Sequence, residues 1–316
     1  MKRVAVLSSR TPLGRALVHA LERDPGVDEV RAVETRSPRS RARDNDAASE
    51  ADVVPLVPDH RGFAAYLAEH GIDTVVQCDL LADRTGSSTV STEADVISTM
   101  CLGAAIGAEG STVRNWILVS SSAVYPVDSQ APLFQDEQTL LRPEGETVAA
   151  SILEAEDYAR DLASRLPYVN VAILRFQQLI GPESSGPLAS VLAGSPAPTP
   201  IGFDPAIQFL HVDDAVSALT FAISRELAGV YNVTSSGSIR WQAAVAATDN
   251  GALPVLPIGF SPLEPLLRRL NVPVVPSELV PVLRFGHVID GAKLERAGWR
   301  PRYDQADCLE ALRGRG

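Results

Sequence analysis

Ile117-Leu118-Val119-Ser120-Ser121-Ser122-Ala123-Val124-Tyr125 is an apolar run that ends in a serine-rich turn. After a polar, proline-bearing stretch comes Val148-Ala149-Ala150-Ser151-Ile152-Leu153-Glu154-Ala155-Glu156. Val148, Ile152, Ala155, Ala159 and Leu162 recur at steps of three and four, so they share one face of a helix over Val148–Arg165. A buried strand, a turn at its carboxyl end and an amphipathic helix make one unit of a parallel sheet covered by helices.

The same alternation extends outward from this stretch. Strands are expected at Val4–Leu7, Glu29–Glu34, Val53–Val57, Asp73–Gln77, Asn115–Ser120 and Val169–Leu174. Helices are expected at Pro12–Glu22, Arg61–Glu69 and Glu93–Ile106. Thr35–Glu50 is rich in Arg, Ser and Asp and reads as a mobile surface loop. Beyond Arg175, Pro and Gly crowd Gly181–Pro200, and short strands follow at Ile207–Val212 and Gly229–Val233. From about Ser236 the chain reads as helices broken by Pro254, Pro257, Pro262, Pro273 and Pro276. The expected fold class is α/β, a Rossmann-type doubly wound parallel sheet with a smaller C-terminal domain. Its expected division is 1–175 with 206–235, and 176–205 with 236–316.

Composition narrows the function classes. A net charge of −11 is the wrong sign for a nucleic-acid-binding surface. Cys78, Cys101 and Cys308 are widely spaced and form no C-x-x-C pair, so neither a disulfide framework nor a zinc site is signalled. No apolar run is long enough for a membrane span or a signal-peptide core, which leads to the expectation of a cytoplasmic protein.

The first strand-to-helix connection reads Ser8-Ser9-Arg10-Thr11-Pro12-Leu13-Gly14. Phosphate-cradling turns at this place use glycines, because positive φ and a missing Cβ let a pyrophosphate approach the helix N-terminus. Here Gly14 alone corresponds to such a glycine, and it serves helix–strand packing. Thr11 is a good N-cap and Pro12 a favoured first helical residue. Ser8, Arg10, Thr11, Gly14 and Glu34 would be the residues holding a dinucleotide if one binds. Glu34, at the end of the second strand, then favours NAD through its acceptor oxygens. The loss of the other glycines, and the charge of Asp79 after the fourth strand, make the absence of a cofactor the expectation.

Several anchors together carry a family resemblance. They are Ser120-Ser121-Ser122-Ala123-Val124-Tyr125, Leu174-Arg175-Phe176-Gln177-Gln178-Leu179-Ile180-Gly181-Pro182, Phe209-Leu210-His211-Val212-Asp213-Asp214, Gly229-Val230-Tyr231-Asn232-Val233 and Ala297-Gly298-Trp299-Arg300-Pro301. In this order and spacing the chain resembles the extended short-chain dehydrogenases/reductases, the NAD-dependent epimerase/dehydratase family, as a divergent UDP-glucose 4-epimerase-like member. The resemblance implies a catalytic serine at Ser121 and an asparagine, tyrosine and lysine where Met100, Val148 and Ile152 stand. A tyrosine acts there as general acid/base because a lysine ammonium lowers its pKa, and neither hydrocarbon can carry a proton. Lys2 and Lys293 are the only lysines, and both are remote in sequence. Where family members carry an arginine for a diphosphate, this chain has Ile207 beside Gln208. Arg175 and His211 read as fold support, and Asp213 and Asp214 as N-cap and first-turn acids of a helix over Ala215–Ser224.

The resemblance and these departures imply a catalytically degraded member, a small-molecule-binding or assembly scaffold without hydride transfer. Two alternatives stand beside it. One is an NAD-dependent nucleotide-sugar epimerase or dehydratase with unconventional acid–base residues. The other is a non-redox lyase, cyclase or isomerase using Ser121 and Tyr125 in the same crevice, although an unperturbed phenol titrates near about 10. The resemblance also implies a homodimer through the helices Glu93–Ile106 and Val148–Arg165, the second bearing Ala149, Ala150, Ala155, Ala159 and Ala163.

Overall fold

The computed structural model describes residues 1–35, 54–55, 59–79, 89–142, 147–181, 186–255 and 279–313. They divide into two compact units: Met1–Val124, Pro143–Arg175 and Val216–Tyr231 form the first, and Tyr125–Arg142, Phe176–Ala215 and Asn232–Gly316 the second. Both this division and the expected one break after Arg175, but here Tyr125–Arg142 and the segment before Val216 belong to the second unit.

The first unit opens with β1 (Lys2–Leu7), α1 (Pro12–Leu21), β2 (Val27–Glu34), β3 (Val54–Pro55) and α2 (His60–Glu69). It continues with β4 (Thr74–Gln77), α3 (Thr89–Ile106), β5 (Asn115–Ser121), α4 (Val148–Arg165) and β6 (Asn170–Phe176). Later strands are β7 (Leu179–Ile180), β8 (Ala197–Pro200), β9 (Ala206–Ile207), β10 (Leu210–His211), β11 (Gly229–Val233), β12 (Ile239–Arg240) and β13 (Ala252–Val255). The main sheet has seven strands in the order β11-β6-β5-β4-β1-β2-β3. β1 runs parallel to β2 and β4, β4 to β5, and β2 to β3. The order reverses at β1, with β2 on one side and β4 on the other, as in a doubly wound sheet.

Local chemistry starts three of the helices. Thr11 Oγ1 accepts from Gly14 N at 3.0 Å, and Pro12 is the first residue of α1. Asp59 caps α2 through Arg61 N and Gly62 N, and Thr147 caps α4 through Ala150 N. α4 spans Val148–Arg165 as expected and buries Ile152, Ala155, Ala159 and Leu162. Burying the Ile and Leu side chains contributes roughly 1.5–3 kcal/mol each. β1 and β4 are solvent-free over Val4, Ala5, Val6, Val75 and Val76. Of the expected strand Val53–Val57, only β3 lies among the described residues, and of Thr35–Glu50 only Thr35 does. Pro257, Pro262, Pro273 and Pro276 lie outside them too.

The second unit holds three two-stranded sheets around an apolar cluster that includes Ile207, Phe209, Trp241 and Leu309. The single strand expected over Ile207–Val212 is instead broken in two. β9 pairs antiparallel with β12, and β10 pairs parallel with β7. Between them, Phe209 N donates to Gln305 Oε1 at 2.8 Å and Gln208 Nε2 donates to Gly237 O at 2.8 Å, so side chains replace a strand partner. Helix α6 (Val212–Arg225), which follows α5 (Pro187–Leu192), begins three residues before the expected Ala215, which puts Asp213 and Asp214 inside its first turn rather than at its cap. Among the described residues no helix is long and apolar enough to cross a membrane.

Candidate functional site

Ligands of doubly wound sheets bind outside the carboxyl ends of the strands, where the order reverses. In the first unit those ends are Ser8 after β1, Thr35 after β2, Asp79 after β4 and Ser120–Ser122 at β5.

Ser8 has φ +55 and is fully buried. Thr11 Oγ1 donates to Ser8 O at 2.9 Å while accepting from Gly14 N, so loop and helix start are stitched together. A Cβ on Gly14 would lie 2.7 Å from Ser8 O and 2.8 Å from Ser9 Cα, so only glycine fits. Gly14 is thus a packing glycine, as its sequence position suggests. Arg10 is partly exposed, Glu34 is buried at the end of β2, and the buried Ser9 hydroxyl has no hydrogen-bond partner among the described residues.

Asp79 is 2% exposed and receives hydroxyls from three separate chain segments. Ser8 Oγ donates to Oδ1, Thr35 Oγ1 lies 3.4 Å from both oxygens, and Ser98 Oγ lies 3.2 Å from Oδ2. Ser8 and Thr35 also bond each other at 3.0 Å. The sequence points to Asp79 as a charge at the strand ends facing the crevice, whereas no pattern around Thr35 or Ser98 marks either residue. Beside Asp79, burial and then its negative charge push the Cys78 thiol well above its ordinary value.

At β5 and α4 a second buried acid organises the packing. Glu156 Oε1 accepts from Ser120 Oγ at 2.5 Å, and Arg175 binds the carboxylate through Nε at 3.0 Å and Nη2 at 2.6 Å. Glu156 and Arg175 are 0% and 1% exposed, a charge-assisted bidentate pair joining α4 to β6. Ser121 Oγ accepts from Ala123 N at 3.1 Å and holds the turn Ser122–Val124. Val148 is the half-buried first residue of α4, and Ile152 is sealed. Met100 is 45% exposed on α3, where its carbonyl accepts from Tyr158 OH at 3.1 Å. The structure thus gathers Ser8, Thr11, Gly14 and Glu34 at the β1–β2 end, sets Ser121, Val148 and Ile152 at β5 and α4, and leaves Met100 at the surface.

Tyr125, expected as a surrogate acid facing the crevice, is placed in the second unit with 3% exposure. Its hydroxyl donates to Asn232 Oδ1 at 2.7 Å, and Asn232 Nδ2 donates to Gln135 O and Asp290 O. That network makes Tyr125 a tie between chain segments. His211 stacks on Tyr303 with centroids 3.8 Å apart, and Ile207 is core. Asp214 accepts from Arg302 N at 2.8 Å, Tyr303 N at 3.2 Å and Ser235 Oγ at 3.2 Å. Tyr303 donates to Asp213, which, with burial, pushes its phenol upward. No group of three or more His, Cys, Asp or Glu side chains among the described residues is placed to hold a metal ion.

Sheet order and strand-end geometry define a Rossmann-type α/β protein. Within that class the chain belongs to the NAD dependent epimerase/dehydratase family, whose pattern matches residues 12–234. It is 29% identical over 313 residues to an uncharacterized protein of Mycobacterium tuberculosis (strain ATCC 25618 / H37Rv), covering 96% of this chain and 81% of that one. Its fold is similar to that of UDP-glucose 4-epimerase from Thermus thermophilus in complex with NAD, with TM-score 0.72, 19% identity, and coverage of 99% of this chain and 98% of that one. It is likewise similar to dTDP-glucose 4,6-dehydratase from Bacillus anthracis str. Ames in complex with NAD, with TM-score 0.70, 14% identity, and coverage of 99% and 96%.

Proposed function

We propose that this chain is a cytoplasmic family member that keeps the scaffold and has given up hydride transfer, acting as a small-molecule-binding or assembly protein. The observation that carries the reading is the face of α4 that packs on β5. Ile152 is sealed hydrocarbon, Val148 is hydrocarbon at the helix start, and Glu156 is consumed by Ser120 and Arg175. The positions that the family resemblance assigns to the proton-transferring tyrosine and its lysine therefore offer no titratable group. Tyr125 cannot stand in while its hydroxyl is given to Asn232.

The fit to NAD is poor at the phosphates. Gly14 and Glu34 suit the packing turn and a ribose, but Thr11 and Asp79 bring a β-branched side chain and a carboxylate to the pyrophosphate end. No step is therefore routed through a dinucleotide. The runner-up, an NAD-dependent nucleotide-sugar epimerase or dehydratase, is favoured by the solved structures named above, which hold NAD. Incubating the protein with UDP-glucose and NAD separates the two. No epimerised or oxidised sugar is expected, and turnover that Ser121→Ala abolishes would overturn the reading.

Assembly is proposed as a homodimer through α3 and α4. Ile97 and Met100 on α3 are 55% and 45% exposed, and Ala104 on the same helix is open to solvent. Light scattering should give twice the 33.6 kDa chain mass, reduced to one chain by Met100→Glu.

A further inference from the structure

The reversal of strand order at β1 is where a doubly wound sheet admits a phosphate, onto the N–H groups of the helix that follows. In this chain the two strands flanking the reversal are joined across it. Ser8, immediately after β1, donates to Asp79, just beyond β4. Thr35, immediately after β2, binds the same carboxylate, and Ser98 of α3 adds a further hydroxyl. Ser8, Asp79, Ser98 and Thr35 are 0%, 2%, 3% and 7% exposed.

We infer that Asp79 is a latch that closes the switch-point crevice to phosphate-bearing ligands, and that this exclusion is set by the one side chain. A phosphate that displaced these hydroxyls would leave a buried carboxylate short of donors, which is costly without replacements. It must then sit beside a like charge in a place where water screens little. The pull of one helix N-terminus on an anion is smaller than that repulsion at close range. Ser8 completes the latch because its left-handed backbone, a conformation glycine would supply without a side chain, here carries the hydroxyl that meets Asp79. The inference deepens the reading above and rests on its premise that no phosphate-bearing cofactor is carried.

Calorimetric titration of the wild-type protein with NAD, ADP and uncharged adenosine tests it, alongside Asp79→Asn and Asp79→Ser. Two variants are used so that a folding failure of either leaves the other to decide, with cooperative thermal melting as the check. Wild-type protein is expected to bind neither NAD nor ADP at about 1 mM, a threshold equal to roughly −4 kcal/mol. A folded variant is expected to gain at least about tenfold in ADP affinity, with adenosine changed by less than about threefold. Micromolar binding of ADP or NAD by the wild type, or folded variants with no gain, would overturn the latch. Wild-type ADP binding without turnover of UDP-glucose would sink the latch and leave the non-catalytic reading standing, whereas turnover would sink that reading itself.

Discussion

Glu156 and Asp79 are both sealed from solvent in the first unit, at 0% and 2% exposure, yet they are held by different chemistry. Glu156 meets the guanidinium of Arg175 in a bidentate pair and takes the Ser120 hydroxyl besides. Asp79 takes the hydroxyls of Ser8, Thr35 and Ser98, all neutral donors. The first arrangement joins a helix to its sheet and leaves nothing over for a ligand. The second shapes the field at the strand ends where ligands of this fold bind. A buried acid is therefore not a functional site by burial alone; its partners decide.

The comparison breaks most visibly at Glu156. Glu156→Gln removes the buried carboxylate that pairs with Arg175 and is expected to destabilise the protein by about 3–5 kcal/mol, read from urea unfolding. If the loss were below about 1 kcal/mol, the pair would rank with exposed ion pairs and the contrast would collapse.

On the Asp79 side the loop geometry is the weak point. Gly14→Ala forces a methyl against Ser8 O and Ser9 Cα, backbone atoms that cannot swing away. Its expected cost is about 1–3 kcal/mol, and near-neutrality would mean the loop is looser than its hydrogen bonds imply. Thr11→Ala removes the cap on Gly14 N and should cost about 1 kcal/mol in the same assay.

The smallest effect is chemical rather than energetic. Thiolate is the reactive form of cysteine, and burial followed by the Asp79 charge raises the Cys78 thiol, so at pH 8 it stays protonated. Burial pushes Cys308 to about 11, partly offset by its hydrogen bond with Ser235. A thiol reagent should therefore label the half-buried Cys101 in native protein and reach Cys78 and Cys308 only after unfolding. Rapid native labelling at Cys78 would show that the strand ends around Asp79 open readily.

The fold was legible because its signals are local. The apolar face of Val148–Arg165 gave both ends of α4, and Thr11-Pro12 gave the start of α1. Where the sequence reading failed, the deciding partners are far along the chain. Tyr125 reads by its place after the fifth strand as a crevice residue, but its hydroxyl donates to Asn232, 107 residues on. The strand read over Ile207–Val212 is broken by Gln305, 96 residues beyond Phe209. Thr35 and Ser98 join Asp79 from separate elements, and spacing along one element cannot show that.

Asp214 carries a consequence for how the chain is made. Its carboxylate collects the N–H groups of Arg302 and Tyr303, 88 and 89 residues later. At roughly 5–20 residues per second on the ribosome, those donors leave the peptidyl-transfer centre about 4–18 s after Asp214 does. Until then the first turn of α6 holds a carboxylate without two of its mature partners.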